Sequence, residues 1–184
     1  MFRTKIKKMV CLSTLVCPFI VSNFCYSSES KEKIEIIDID NSNYGNESSC
    51  DLLYDILTLK KEVFKSDKKV CDDFREIISV LEDETRSCHV LGLYTNGVND
   101  LKCGAIFEKV DNGNISLRYI FTKKGNQRQG FGTKMMDYIK NMVGKGKSIT
   151  LESTYNSFEF YEKCGFKKIG TSGMTLTIFE WKNS

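Results

Sequence analysis

The run from Asn114 to Val143 constrains this chain's fold more than any other stretch. It opens as Asn114-Ile-Ser-Leu-Arg-Tyr-Ile-Phe-Thr122, rich in β-branched and aromatic residues. It passes through Lys123-Lys-Gly-Asn-Gln-Arg-Gln-Gly-Phe-Gly132 and continues as Thr133-Lys-Met-Met-Asp-Tyr-Ile-Lys-Asn-Met-Val143, whose apolar residues recur at helical spacing. A strand delivered into a helix through a basic, glycine-studded loop is an anion-binding device. Glycine lets the backbone curl closely around a ligand, and the N–H groups at a helix start have no intrahelical partner. Lys123, Lys124 and Arg128 add positive charge at the same point. The pattern also serves as an ordinary strand-to-helix turn with a solvated basic face, so it is a weak signal by itself.

Two familiar phosphate loops are excluded by spacing. A P-loop ends in Lys followed by Ser or Thr, whereas Gly132 is followed by Thr133-Lys134 in the opposite order. A dinucleotide fingerprint needs a third glycine three residues after the second, which is absent. The loop instead reads Gln-x-x-Gly-x-Gly, as Gln127, Gly130 and Gly132, and about thirty residues later Ser157-Phe-Glu-Phe-Tyr-Glu-Lys-Cys-Gly-Phe166 follows. The two motifs, in this order, resemble the acetyl-CoA pyrophosphate loop and the later helix of the GCN5-related N-acetyltransferase (GNAT) superfamily. The resemblance covers roughly residues 33 to 181.

Outside the motifs the chain reads as one α/β domain. At 184 residues it is long enough to bury a core without staples. Period-2 alternation predicts strands at Lys33–Asp40, Cys88–Tyr94, Lys102–Val110, Ile115–Thr122, Ser148–Glu152, Phe166–Gly170 and Met174–Trp181. Helical spacing predicts helices over Cys50–Phe64, Val70–Glu84, Thr133–Val143 and Ser157–Cys164, and Asp111-Asn-Gly-Asn114 is a hairpin turn signal. The order β-αα-βββ-α-β-α-ββ is that of the family. The resemblance implies the GNAT fold: a single mixed, mostly antiparallel sheet, flanked by helices and splayed between two central parallel strands.

The first thirty residues are of another kind. Met1 to Lys8 is basic, Met9 to Tyr26 is an apolar run interrupted by Pro18, and Ser27-Ser-Glu-Ser is polar. That is the layout of a secretory signal peptide with Cys25-x-Ser27 at the cleavage site, or of an uncleaved anchor. Residues 1–27 are therefore expected to be a leader that engages the secretion machinery or the membrane, and 33–184 the domain. The leader predicts export or anchoring; without it the expected place is the cytoplasm.

Charge and cysteine usage narrow the partners. Arg3, Lys5, Lys7 and Lys8 lie in the leader, so its removal takes the formal charge from +3 to about −1. With no basic strip bearing interleaved aromatics, nucleic acid is not an expected partner. From Ile34 to Val90 acids outnumber bases about two to one, and from Leu91 onward bases lead, which suits an anionic cofactor and a cationic amine; solvated helix faces account for the acids as well. Cys50, Cys71, Cys88, Cys103 and Cys164 match no metal spacing and the chain has one histidine, so no metal is expected. A disulfide such as Cys50 with Cys71 is open if the protein is oxidised.

The resemblance assigns the site. Acetyl-CoA is the implied co-substrate, its pantetheine arm paired with the backbone of Ile120, Phe121 and Thr122. Its pyrophosphate would be held by the stretch Gln127, Arg128, Gln129, Gly130, Phe131, Gly132 and Thr133. Tyr161 falls where relatives carry a general acid, though it also reads as a packing aromatic beside Phe158, Phe160 and Phe166. Asn156 stands two positions later than the family's usual Asn and is a weaker cofactor contact. Some relatives place a Glu on the strand before the glycine loop; here that strand has no carboxylate, so Glu108, Glu152, His89 and relayed water stay open as base. The implied reaction is transfer of an acetyl group to a primary amine, on a small molecule or on a protein or peptide. The alternative is a non-catalytic acyl-CoA-binding interaction domain.

Overall fold

The computed structural model describes residues 33–65, 74–97 and 100–184. Seven strands form one sheet: β1 (Ile34–Asp40), β2 (Ser87–Thr95), β3 (Leu101–Val110), β4 (Asn114–Thr122), β5 (Ser148–Ser153), β6 (Lys167–Ser172) and β7 (Leu176–Lys182). Among the described residues four α-helices accompany them: α1 (Glu47–Val63), α2 (Phe74–Glu82), α3 (Phe131–Asn141) and α4 (Phe158–Lys163). The spatial order is β1-β2-β3-β4-β5-β7-β6, and every neighbouring pair is antiparallel except β4 with β5. The chain has the GNAT-type mixed sheet that its motif order implies. The leader, the expected start of the second helix at Val70 and Cys71 of the suggested disulfide lie outside the described residues. Among the described residues Cys50, Cys88, Cys103 and Cys164 are free, and no helix is long and apolar enough to cross a membrane.

Each face of the sheet has its own core. In α1, Leu53, Ile56, Leu57 and Lys60 recur at helical spacing and are buried. With Ile77, Val80 and Leu81 of α2 they cover Ile39, Val90, Ile106 and Phe121 of β1 to β4. Glu47 in the first turn of α1 and Lys60 and Lys61 in its last complement the helix dipole. On the other face α3 buries Phe131, Met135, Met136 and Ile139 against Leu91, Leu93, Ala105, Phe107, Leu117, Ile149, Leu151 and Phe179. Cross-strand partners Gly92 and Gly104 keep the first face flat under α1. A Cβ on Gly104 would come within 2.5 Å of the Phe121 ring, and one on Gly92 within 2.6 Å of the Tyr94 ring.

Strand β4 carries one residue more than its partner needs. Phe107 pairs with Leu117 and Ile106 with Tyr119, which leaves Arg118 as a bulge. Before it, Ile115 and Leu117 lie in the α3 core; after it, Ile120 packs on that side while Tyr119 and Phe121 pack under α1 and α2. The bulge resets the side-chain alternation at the point where β4 turns away from β5.

Candidate active site

Parallel pairing between β4 and β5 lasts for three residues, Ile115–Leu117 against Ile149–Leu151. Beyond Leu117 and Leu151 the strands part, β4 running on to Thr122 and β5 to Ser153. β3 still holds the far side of β4 through Ala105, Gly104 and Cys103 opposite Ile120, Phe121 and Thr122. Backbone groups of that stretch not taken up by β3 therefore face a fork, an edge onto which an extended chain can add. The fork opens at the carboxyl ends of two parallel strands, the usual place for a ligand in a parallel pair. The side chain of Phe121 is buried under α1, so Phe121 has only backbone to offer there.

The glycine loop ends at the same mouth. Gly130 stands at the N-cap of α3 with φ 85°, a left-handed conformation that other residues adopt at a cost of about 1–2 kcal/mol, and a Cβ there would meet nothing within 4 Å. Arg128 is also left-handed, at φ 64°. Gln129 Nε2 donates to the Gly125 carbonyl at 3.0 Å and ties the loop together. No side chain caps α3 and its first turn has no acidic residue, so its leading amides are open to an anion. The helix starts two residues earlier than its periodicity predicted, placing Phe131 and Gly132 in the first turn. Gln127, Arg128, Gln129 and Thr133 are exposed around that turn, while Phe131 is buried and anchors it.

Tyr161 sits in α4 with its ring enclosed by Phe160 (5.1 Å), Phe179 (5.8 Å) and Phe166 (5.9 Å). Burial, then the neighbouring Cys164, pushes its phenol up to about 12. The hydroxyl stays protonated at neutral pH, so it can donate a hydrogen bond and is not available as a phenolate base. α4 is tied to the rest of the site at both ends: the Phe160 ring rests on Gly132, and Lys140 Nζ donates to the Cys164 carbonyl that closes the helix. Asn156 is exposed in the turn Tyr155–Ser157 that precedes α4.

The base candidates separate cleanly. Glu108 on β3 is clamped by two arginines, with Oε2 2.5 Å from Arg86 Nη2 and Oε1 2.5 Å from Arg118 Nε. The second contact is an ion pair not aligned for a hydrogen bond. Arg118 Nη1 also donates to Glu76 of α2 at 2.8 Å. A carboxylate so engaged is a structural anchor and not a free base. His89 is buried on β2, stacked on Phe107 at 4.7 Å, with Nδ1 3.0 Å from both Asp38 oxygens. It belongs to the α3 side of the sheet two strands from the fork, so it is a satisfied core histidine. Glu152 is exposed on β5, immediately after the last parallel pair. Arg118 was missed by sequence reasoning, because a bulge shows only in the register with the partner strand, here Ile106 and Phe107 of β3.

A forked mixed sheet, with an uncapped glycine turn at the fork's mouth, defines the class: an acyltransferase fold of the GNAT type. Residues 66–175 match the family model described as the Acetyltransferase (GNAT) domain, and the chain belongs to that family. Among solved structures it is similar to ElaA of Escherichia coli, with a TM-score of 0.61 and 13% identity over 81% of this chain and 99% of that one. It is also similar to an acyl-CoA N-acyltransferase from Pseudomonas aeruginosa, with a TM-score of 0.60 and 14% identity over 80% and 98%. Tetrahymena GCN5 aligns with a TM-score of 0.59 and 14% identity over 82% and 96%. At these identities the likeness is one of fold. No curated protein matches the chain.

Proposed function

We propose that the chain is an acetyl-CoA-dependent N-acetyltransferase that moves an acetyl group directly to a primary amine. The observation that carries this is the coincidence of the β4–β5 fork with the uncapped first turn of α3. Free backbone for an amide-bearing arm and free amides for a pyrophosphate lie at one mouth, and Gly130 leaves the approach open. When bound, acetyl-CoA supplies the activated acyl group as a thioester.

The protein's own part is mainly positioning. The backbone of Ile120 to Thr122 holds the arm along β4, while amides from Arg128 to Thr133, with the side chains of Gln127 and Arg128, hold the phosphates. Asn156 borders the entrance. An amine fixed against the acyl carbon gains effective concentration, which outweighs any single side-chain contribution. Tyr161 donates its phenolic hydrogen to the departing sulfur. A phenol pushed up to about 12 is a weak acid, so it stabilises the sulfur mainly as a hydrogen-bond donor. We assign residues 33–184 to the domain and residues 1–27 to an export or anchoring leader; N-terminal sequencing of the secreted or membrane fraction tests the leader.

The test of function is thermal melting with and without acetyl-CoA, for wild type and Gly130→Glu. Ligand at about 100 times its Kd adds roughly 2.7 kcal/mol, a shift of several degrees at this size. A shift seen in wild type and lost in Gly130→Glu, with turnover on an amine panel, is the expected result. A well-folded wild type that does not shift overturns the reading. A shift without turnover on any amine would leave an acyl-CoA-binding interaction domain.

A further inference from the structure

Leu117 and Leu151 form the last parallel pair of the fork, and the residues that follow them are Arg118 on β4 and Glu152 on β5. Both leave the α3 core that Leu117 and Leu151 join, and so both belong to the sheet face that carries α1 and α2. Their electrostatic situations differ. The Arg118 guanidinium is taken up by Glu76 and Glu108, which pull it toward α2 and β3. Glu152 is exposed and forms no ion pair with any described residue. Arg86, Arg118, Glu76 and Glu108 balance one another, whereas Glu152, at the root of the fork on this face, is a carboxylate with no cationic partner among the described residues.

The surroundings of Glu152 bear on what it meets. The buried cluster beneath α1 and α2 draws on β1 to β4 and takes in no described residue of β5, β6 or β7. Glu152 pairs in register with Ile178, and Leu176 follows Ile178 on the same face of β7; both are half-buried. A carboxylate at the fork thus continues into a short apolar track without a helix from α1 or α2 over it. That combination fits an ammonium on an apolar stem. It disfavours an acceptor that carries its own carboxylate beside the amine, since Glu152 would repel it while Arg118 is already satisfied.

We propose that Glu152 is the catalytic base and that the acceptor is a primary alkylamine without a neighbouring carboxylate; this rests on the acetyltransferase reading above. Glu152 takes one proton from the arriving ammonium and passes it to water. The neutral nitrogen attacks the thioester carbonyl, the C–N bond forms and the C–S bond breaks. Glu152 accepts the second proton of the nitrogen and passes it to water, Tyr161 donates a hydrogen bond to the departing sulfur, and solvent supplies the proton of the thiol. One acetamide, one thiol and one released proton balance the reaction.

The full-length protein tests this with acetyl-CoA and two acceptors that share an apolar stem, 3-methylbutylamine and leucine. Wild type is expected to acetylate 3-methylbutylamine with a kcat/KM at least tenfold above that for leucine. Glu152→Gln is expected to lower kcat/KM for the amine by roughly 10²-fold or more, with the acetyl-CoA melting shift unchanged and Glu152→Asp recovering part of the loss. Retention of activity within threefold in Glu152→Gln, or a preference for leucine, overturns the inference. Acetylation of some other amine class but not of alkylamines overturns it too. No turnover of any amine by a wild type that binds acetyl-CoA overturns instead the catalytic reading on which it rests.

Discussion

The Phe160 ring lies against Gly132, where a Cβ would stand 3.4 Å from two ring carbons and 3.5 Å from Thr122 Oγ1. One glycine in the first turn of α3 thus joins the helix that presents free amides to the helix that carries Tyr161. Gly132→Ala should be close to neutral, because the helix gain of about 1 kcal/mol over glycine offsets mild crowding. Gly132→Val should cost about 1–3 kcal/mol and weaken acetyl-CoA binding, because the added methyls must displace Phe160 or Thr122. Paired melts with and without acetyl-CoA separate these outcomes.

Tyr161→Phe removes a hydroxyl and keeps the ring contacts with Phe160, Phe166 and Phe179. Stability should change by less than about 1 kcal/mol, while kcat falls roughly tenfold or more and the acetyl-CoA melting shift persists. Steady-state kinetics beside a melt checks both halves. A loss of fold in place of a loss of rate would make Tyr161 a packing residue.

Glu108 holds two arginines from β4 and the stretch before β2. Glu108→Gln leaves Arg86 and Arg118 facing each other. The arginine side chains are 38% and 31% exposed, so solvent screens part of the penalty, and a cost of about 1–3 kcal/mol is expected. The urea midpoint should fall with an unchanged slope. Because the same cluster steadies the bulge, acetyl transfer should drop more than acetyl-CoA binding.

Alkaline stability follows from buried neutral groups. Burial pushes Cys88 and Cys103 up from an ordinary 9.0 to about 11, and Tyr161 up from 10.0 to about 12. In the unfolded chain these groups ionise first, so above pH 9 the folded state holds more protons. The stabilisation is complete below about pH 9 and is lost as pH rises toward 12, at a scale of about 2 kcal/mol per group. Urea melts at pH 8, 9.5 and 11 should show a monotonic decline; a flat profile would mean that these thiols and this phenol are open to solvent.

Much of the fold was legible because its signals are local. The alternation in Ile34–Asp40, the 3.6-residue spacing in α1 and α3, and the glycine at the α3 N-cap each follow from a few neighbouring residues. Family resemblance supplied the pairing of β4 with β5, which no local pattern encodes. What remained hidden depends on register between distant segments: Arg118 as a bulge, Asp38 holding His89 across 51 positions, and Glu108 drawn between two arginines. The same limit left four base candidates open in the sequence. Only the sheet separates a clamped Glu108 and a core His89 from an unpaired Glu152.

The extra residue at Arg118 has a consequence for how this protein can change. Side chains downstream of it keep their faces because the spare residue is taken up in the bulge and not passed along the ladder. Draw Arg118 into the regular ladder opposite Ile106, and Tyr119 and Phe121 would trade faces with Ile120, carrying aromatic bulk out from under α1 and into the packing of α3. Loss of Arg118 itself would leave those faces in place, because Tyr119 would then follow Leu117 in a regular ladder, and would give up the ion pairs with Glu76 and Glu108. For β4, where the spare residue sits matters more than that there is one.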